Sequence, residues 1–144
     1  MSGAPTLTLT LTWSGVASLN LSIPGDNSTI FTKIEVIAFK VYNNGVHGTP
    51  TSFNQRGLLF LTSSRLGGTN RYIYSSGTSL PYISMAELTD NGLSYAAKQV
   101  FCVKVAGGTL GQLGQVDLLV VDASGNVVLF GANDTVDVTI NFCV

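Results

Sequence analysis

Thr6-Leu7-Thr8-Leu9-Thr10-Leu11-Thr12-Trp13 decides the fold class, because apolar and hydroxyl side chains alternate through it without a break. Period 2 is the repeat of a pleated strand with one face in the core and one in water. Leu7, Leu9, Leu11 and Trp13 therefore face inward, and the threonines face out. Ser14-Gly15 reads as a turn, and Val16 to Ile23 as a second strand whose Leu19, Leu21 and Ile23 alternate with Ser18, Asn20 and Ser22. Strands this close in sequence are expected to pair as a hairpin or lie as neighbours.

The same signal recurs to the C-terminus. Pro24 to Ser28 is turn chemistry, and Ile30 to Tyr42 follows as a long β-forming stretch with apolar residues at both odd and even positions, which predicts a strand covered on both faces. Leu58 to Thr62, Arg71 to Tyr74, Gln99 to Val105, Gln115 to Asp122, Asn126 to Phe130 and Thr135 to Val144 complete the expected strands. In the last of these, Val136, Val138, Ile140, Phe142 and Val144 share a face opposite Asp137, Thr139, Asn141 and Cys143. Helix is signalled at one place, Ser84-Met85-Ala86-Glu87, by the spacing of a capping box. The prediction is an all-β, single-domain antiparallel β-sandwich over residues 1–144, jelly-roll or immunoglobulin-like, with eight to nine strands and at most one short helix.

Composition narrows the function. Apolar residues make up 45% of the 144, which places the chain outside the disordered class. Charged residues make up only 10%, with a net charge of -1 spread over isolated positions, so no basic face or tail is present to draw nucleic acid. A surface so poor in charge favours association. The longest run of aliphatic residues, Leu118 to Val121, is too short for a membrane helix, and no signal peptide is visible after Met1.

Candidate chemistry is sparse. The single histidine, His47, lies in a Gly- and Thr-rich loop, and one histidine with two distant cysteines does not make a zinc site. No cofactor is implied. Asp122 and Asp134 stand in turn clusters where a carboxylate usually serves the backbone, and calcium binding at one end of the fold is the alternative. Three Asn-x-Ser/Thr matches, at Asn20, Asn27 and Asn133, are about what chance supplies in so Ser-, Thr- and Asn-rich a chain. Cys102 and Cys143 both fall on the outward phase of their strands, as a disulfide between last and earlier strand or as two free thiols. Arg56, Arg65, Arg71, Tyr72, Tyr74 and Tyr82 gather in one irregular stretch and are the residue types that interfaces and ligand surfaces favour.

These readings lead to a non-enzymatic, self-assembling structural protein: a viral capsid, virion-surface, decoration or appendage subunit, located in a virion or extracellular assembly. Its expected partners are copies of itself and other structural subunits, with no direct nucleic-acid binding and no membrane span. A small jelly roll of this composition resembles viral coat and capsid-decoration proteins in general character, at the level of fold class alone. The alternative is a lectin-like carbohydrate-binding or adhesive module using the loop tyrosines.

Overall fold

The computed structural model describes residues 7–23, 30–42, 58–66, 71–73, 79–89, 94–128 and 130–143. In chain order the elements are β1 (Leu7–Ser14), β2 (Ser18–Ser22), β3 (Ile30–Tyr42), β4 (Leu58–Thr62), β5 (Arg71–Ile73), β6 (Ser79–Pro81), β7 (Ser84–Leu88), β8 (Ser94–Ala96), β9 (Phe101–Thr109), α1 (Leu110–Leu113), β10 (Gln115–Asp122) and β11 (Thr135–Cys143). The chain is nearly all β. Its main sheet is antiparallel and nearly closed, running β1-β11-β3-β8-β7-β4-β10-β2, with β9 also paired to β3; β5 and β6 form a separate ribbon.

β1 adds to β11 over eight consecutive positions, from Leu7↔Phe142 to Ser14↔Thr135, with no register shift. Alternation explains the match, since each leucine meets an apolar partner while each outward threonine meets Asn141, Thr139 or Asp137. Thr8 Oγ1 donates to Asn141 Oδ1 at 2.7 Å and Thr12 Oγ1 to Asp137 Oδ1 at 2.8 Å.

β2 is not the hairpin partner of β1. It pairs with β10, so the two strands stand at opposite ends of the strand path. The turn between them redirects the chain: Gly15 takes a φ of 82°, its N–H donates to Asp134 C=O, and Trp13 Nε1 donates to Val16 C=O at 2.9 Å.

β3 also departs from expectation, for its outer face is not covered. Phe31, Ile34, Val36, Phe39 and Val41 are buried, while Ile30 and Ile37 are exposed. Two irregularities change the phase of the strand. Against β11 the register slips between Val36 and Ala38, and against β9 it slips between Phe31 and Lys33. Each slip moves the inward position from one parity to the other, so apolar residues of both parities reach the same core.

The short helix lies elsewhere than predicted. Ser84 to Glu87 is extended in β7, where Ala86 pairs with Leu59 and Met85 with Phe60. Long-range pairing outweighs a local capping signal. The same capping-box spacing does operate at Thr109-Leu110-Gly111-Gln112, where the Thr109 and Gln112 side chains satisfy each other's backbone N–H groups at 3.2 and 3.1 Å. The described residues of Asn126 to Phe130 form no strand either; they contribute a single bridge, Val127 to Val121.

Inward residues of the main-sheet strands meet in one apolar cluster. Trp13, Phe39, Leu61, Ala86, Tyr95, Val103, Leu118 and Phe142 are among its buried members, and Leu19 and Leu21 of β2 pack against it half-buried. Phe142 meets Phe31 edge to face at 5.3 Å.

Candidate functional site

β4 and β10 are apolar on both faces. Leu59, Leu61, Leu118 and Val120 enter the main core, and the next residues along each strand, Phe60 and Val121, form a second, smaller cluster on the opposite side. Register makes this a row. Met85 lies opposite Phe60, Phe60 opposite Val121, and Val121 opposite Val127, so four apolar residues cross β7, β4, β10 and the returning chain. The turn that returns the chain is held by Asp122, whose Oδ1 accepts from the N–H groups of Ser124 and Asn126, with Gly125 at a φ of 85°.

Beside the row opens a cleft of about 370 Å³ lined by Leu119, Val121, Val127 and Pro81, with Thr62, Ser63, Ser64 and Gly125 completing its wall. Val127 is 50% exposed. Phe60 and Val121 are buried beneath their neighbours, so the accessible apolar surface belongs to the rim.

Asp117, on the same face of β10 as Leu119 and Val121, fixes the hydroxyl side of this cleft. Its carboxylate accepts from Ser63 Oγ at 3.0 Å, from Ser64 N and Oγ at 2.9 and 2.5 Å, and from Arg65 N at 3.0 Å. Partial burial alone would raise its pKa, but the hydrogen bonds from Ser64, Arg65 and Ser63 outweigh it and hold the carboxyl down to about 2. A depressed folded-state pKa means that the stabilisation is fully present above the unfolded value near 3.8 and is lost as pH falls through about 2. Asp117→Asn is therefore expected to cost about 1 to 2 kcal/mol at pH 7, discounted for solvent access, and less at pH 2. Urea denaturation at the two pH values checks this, and an equal cost at both contradicts it.

The residues singled out from sequence divide sharply. Arg65 sits at this site, exposed, with Nη1 donating to Leu113 C=O at 3.2 Å, so it ties the turn to α1. Tyr82 is a packing residue: its ring meets Phe60 at 5.4 Å and Phe101 at 6.0 Å, both edge to face. Arg71 and Tyr72 lie on β5, opposite Pro81 and Leu80 of β6. Arg56, Tyr74 and His47 lie outside the described residues, as do Asn27, Asp26 and Asp90. The apolar row itself was missed. Its signal was present in Leu58-Leu59-Phe60-Leu61 and Leu118-Leu119-Val120-Val121, runs in short strands that necessarily supply apolar side chains to both faces.

Cys102 and Cys143 share the outer face of β9-β3-β11, but both are free thiols. Cys102 lies opposite Glu35 and Cys143 opposite Lys33, so β3 separates their strands. Two strand spacings come to about 9.6 Å, beyond the roughly 7 Å limit for a disulfide without backbone movement. Cys143 is buried and its Sγ donates to Glu35 Oε1 at 3.2 Å. Burial, then the bond to Glu35 and its charge, push the thiol up to about 11. A maleimide probe at pH 7.5 is expected to label Cys102 promptly and Cys143 only after denaturation. Equal labelling of both in the folded chain, read by peptide mass spectrometry, contradicts this placement.

Among the described residues no group of three or more His, Cys, Asp or Glu side chains is arranged to hold a metal ion. The Asp122 and Asp134 carboxylates each accept from backbone N–H groups of their own turns, Asp134 from Gly131 at 2.7 Å. No described helix is long and apolar enough to cross a membrane. No family model matches the chain, and no curated protein matches it significantly.

Proposed function

We propose that this chain is a non-enzymatic, self-assembling structural protein, a capsid, virion-surface, decoration or appendage subunit, built as a β-sandwich of jelly-roll or immunoglobulin-like type. The observation that carries this reading is the apolar row Met85-Phe60-Val121-Val127 with its cleft on the face turned away from the main core. A second apolar face of a sheet stabilises nothing inside its own chain beyond its local cluster, and exposed apolar patches rimmed by hydroxyls mark contact surfaces. The cleft has the size to take one or two apolar side chains of a neighbouring copy.

Low charge supports the same reading. Seven basic and eight acidic side chains over 144 residues leave little repulsion between copies. Partners are accordingly copies of the chain and other structural subunits in a virion or extracellular assembly, without direct contact to nucleic acid. Negative-stain microscopy of the purified protein tests the proposal: regular particles or filaments are expected, and a field of isolated small molecules at every concentration contradicts it.

A further inference from the structure

We infer that the free edge of β1 is a two-fold contact at which a second copy of this chain adds its own β1, antiparallel, with Thr10 on the symmetry axis. This contact rests on the self-assembly reading and is one of the contacts that reading requires.

Among the described residues β1 pairs with β11 alone, leaving its other side without a strand. The groups on that side can be identified. Gly15 N–H donates to Asp134 C=O at 3.0 Å and continues the register one step past Ser14↔Thr135, so Gly15 and Asp134 form a hydrogen-bonded pair. Such pairs alternate along an antiparallel ladder. Leu7, Leu9, Leu11 and Trp13 therefore bond to β11, and Thr8, Thr10, Thr12 and Ser14 direct their N–H and C=O groups to the free side. The side chains agree, for Thr8–Asn141 and Thr12–Asp137 hydrogen bonds fall at non-hydrogen-bonded pairs, where facing residues approach most closely.

Natural edges are blunted by lysine, proline or a bulge. β1 has none of these: no charged residue, no proline and eight unshifted pairs. β2, at the other end of the path, is also uncharged but only five residues long. An uncharged, strongly β-forming edge of this length left bare is an aggregation site, so a specific cover is needed.

The occupant follows from the strand's self-complementarity. Rotation about Thr10 sets Thr8 against Thr12, Leu9 against Leu11 and Leu7 against Trp13. The outward-directed backbone groups of Thr8, Thr10 and Thr12 then meet one another, giving about six hydrogen bonds across the axis. Threonine faces threonine on the outer side, and apolar residues face apolar residues on the core side. A pairing of this kind closes at two copies, so the cleft at Val127 is left to supply the contact that extends a larger assembly.

Thr10 is exposed, so charge can be placed there without touching the core. Thr10→Lys and Thr10→Glu each set like charges face to face across the axis, and each alone is expected to weaken this contact about a hundredfold. Sedimentation velocity is expected to show smaller species for either variant, with far-UV circular dichroism unchanged, and recovery of the wild-type distribution when the two are mixed in equal amounts. Variants that sediment like wild type overturn the edge contact while leaving self-assembly standing. A loss that mixing does not reverse assigns the edge to something other than its own copy and also overturns it. A monomeric wild-type chain overturns this inference together with the proposed function.

Discussion

Phe142→Ala is expected to cost about 3 to 5 kcal/mol of folding stability, among the largest effects a single truncation can have in this core. Phe142 is fully buried, lies between Leu7 of β1 and Ile34 of β3, and meets the Phe31 ring edge to face. Its removal thus leaves a cavity where the edge strand, the last strand and the long β3 converge. Neighbouring backbones are locked in ladders on both sides and cannot collapse to fill it, which puts the loss in the upper part of the range for core truncations. A domain of this size has about 5 to 15 kcal/mol in total, so the variant should lose roughly a fifth or more of its stability. Chemical denaturation checks it: the midpoint should fall with the slope unchanged. A loss under about 1 kcal/mol would mean that the ring does not occupy a closed core.

Val127→Asp is expected to do the reverse, leaving the fold intact and dismantling the proposed assembly. Val127 is half exposed and joined to the sheet by a single bridge to Val121, so a carboxylate there reaches water in the isolated chain. The folding cost should stay within about 0.5 kcal/mol. Covered by a neighbouring copy, the same carboxylate is desolvated against Leu119, Val121 and Pro81 without a basic partner among the cleft's lining residues. Burying an unpaired charge in this way costs roughly 2 to 4 kcal/mol per contact, which weakens association by about 30-fold to 1000-fold. The β1 edge is untouched by the change, so two-fold pairs should remain where larger species are lost. Light scattering alongside a thermal melt separates the two effects, and an unchanged particle size with an unchanged melt would remove the cleft from the assembly contacts.

How far the fold could be read from sequence depended on whether each strand kept one phase. β1 and β11 alternate over their full lengths, and Leu58 to Thr62 and Gln115 to Asp122 coincide with β4 and β10 as expected. β3 misled because its two phase shifts are set by its neighbours β9 and β11, which a local window does not contain. β6, β7 and β8 were not anticipated; they are three to five residues long and exist through pairing with distant partners or, for β6, with β5. The two capping boxes at Ser84 and Thr109 are equivalent as sequence. Only the first lies in a segment that pairs with β4, and that pairing decides between strand and helix.

The site was less legible than the fold. Arginine and tyrosine drew attention to Arg56 to Tyr82, yet what shapes the surface at Arg65 is its backbone N–H on Asp117, and Tyr82 is spent on packing. A carboxylate that organises a turn 52 to 54 residues away leaves no local mark. The apolar row depends on register across β7, β4 and β10, although the doubled hydrophobic runs in β4 and β10 already indicate two covered faces.

Sedimentation equilibrium from about 1 to about 100 µM tests the central claim most directly, because association driven by mass action must respond to concentration. Masses at integral multiples of the 15.1 kDa chain are expected, rising with concentration. A single 15.1 kDa species throughout that range would contradict the account.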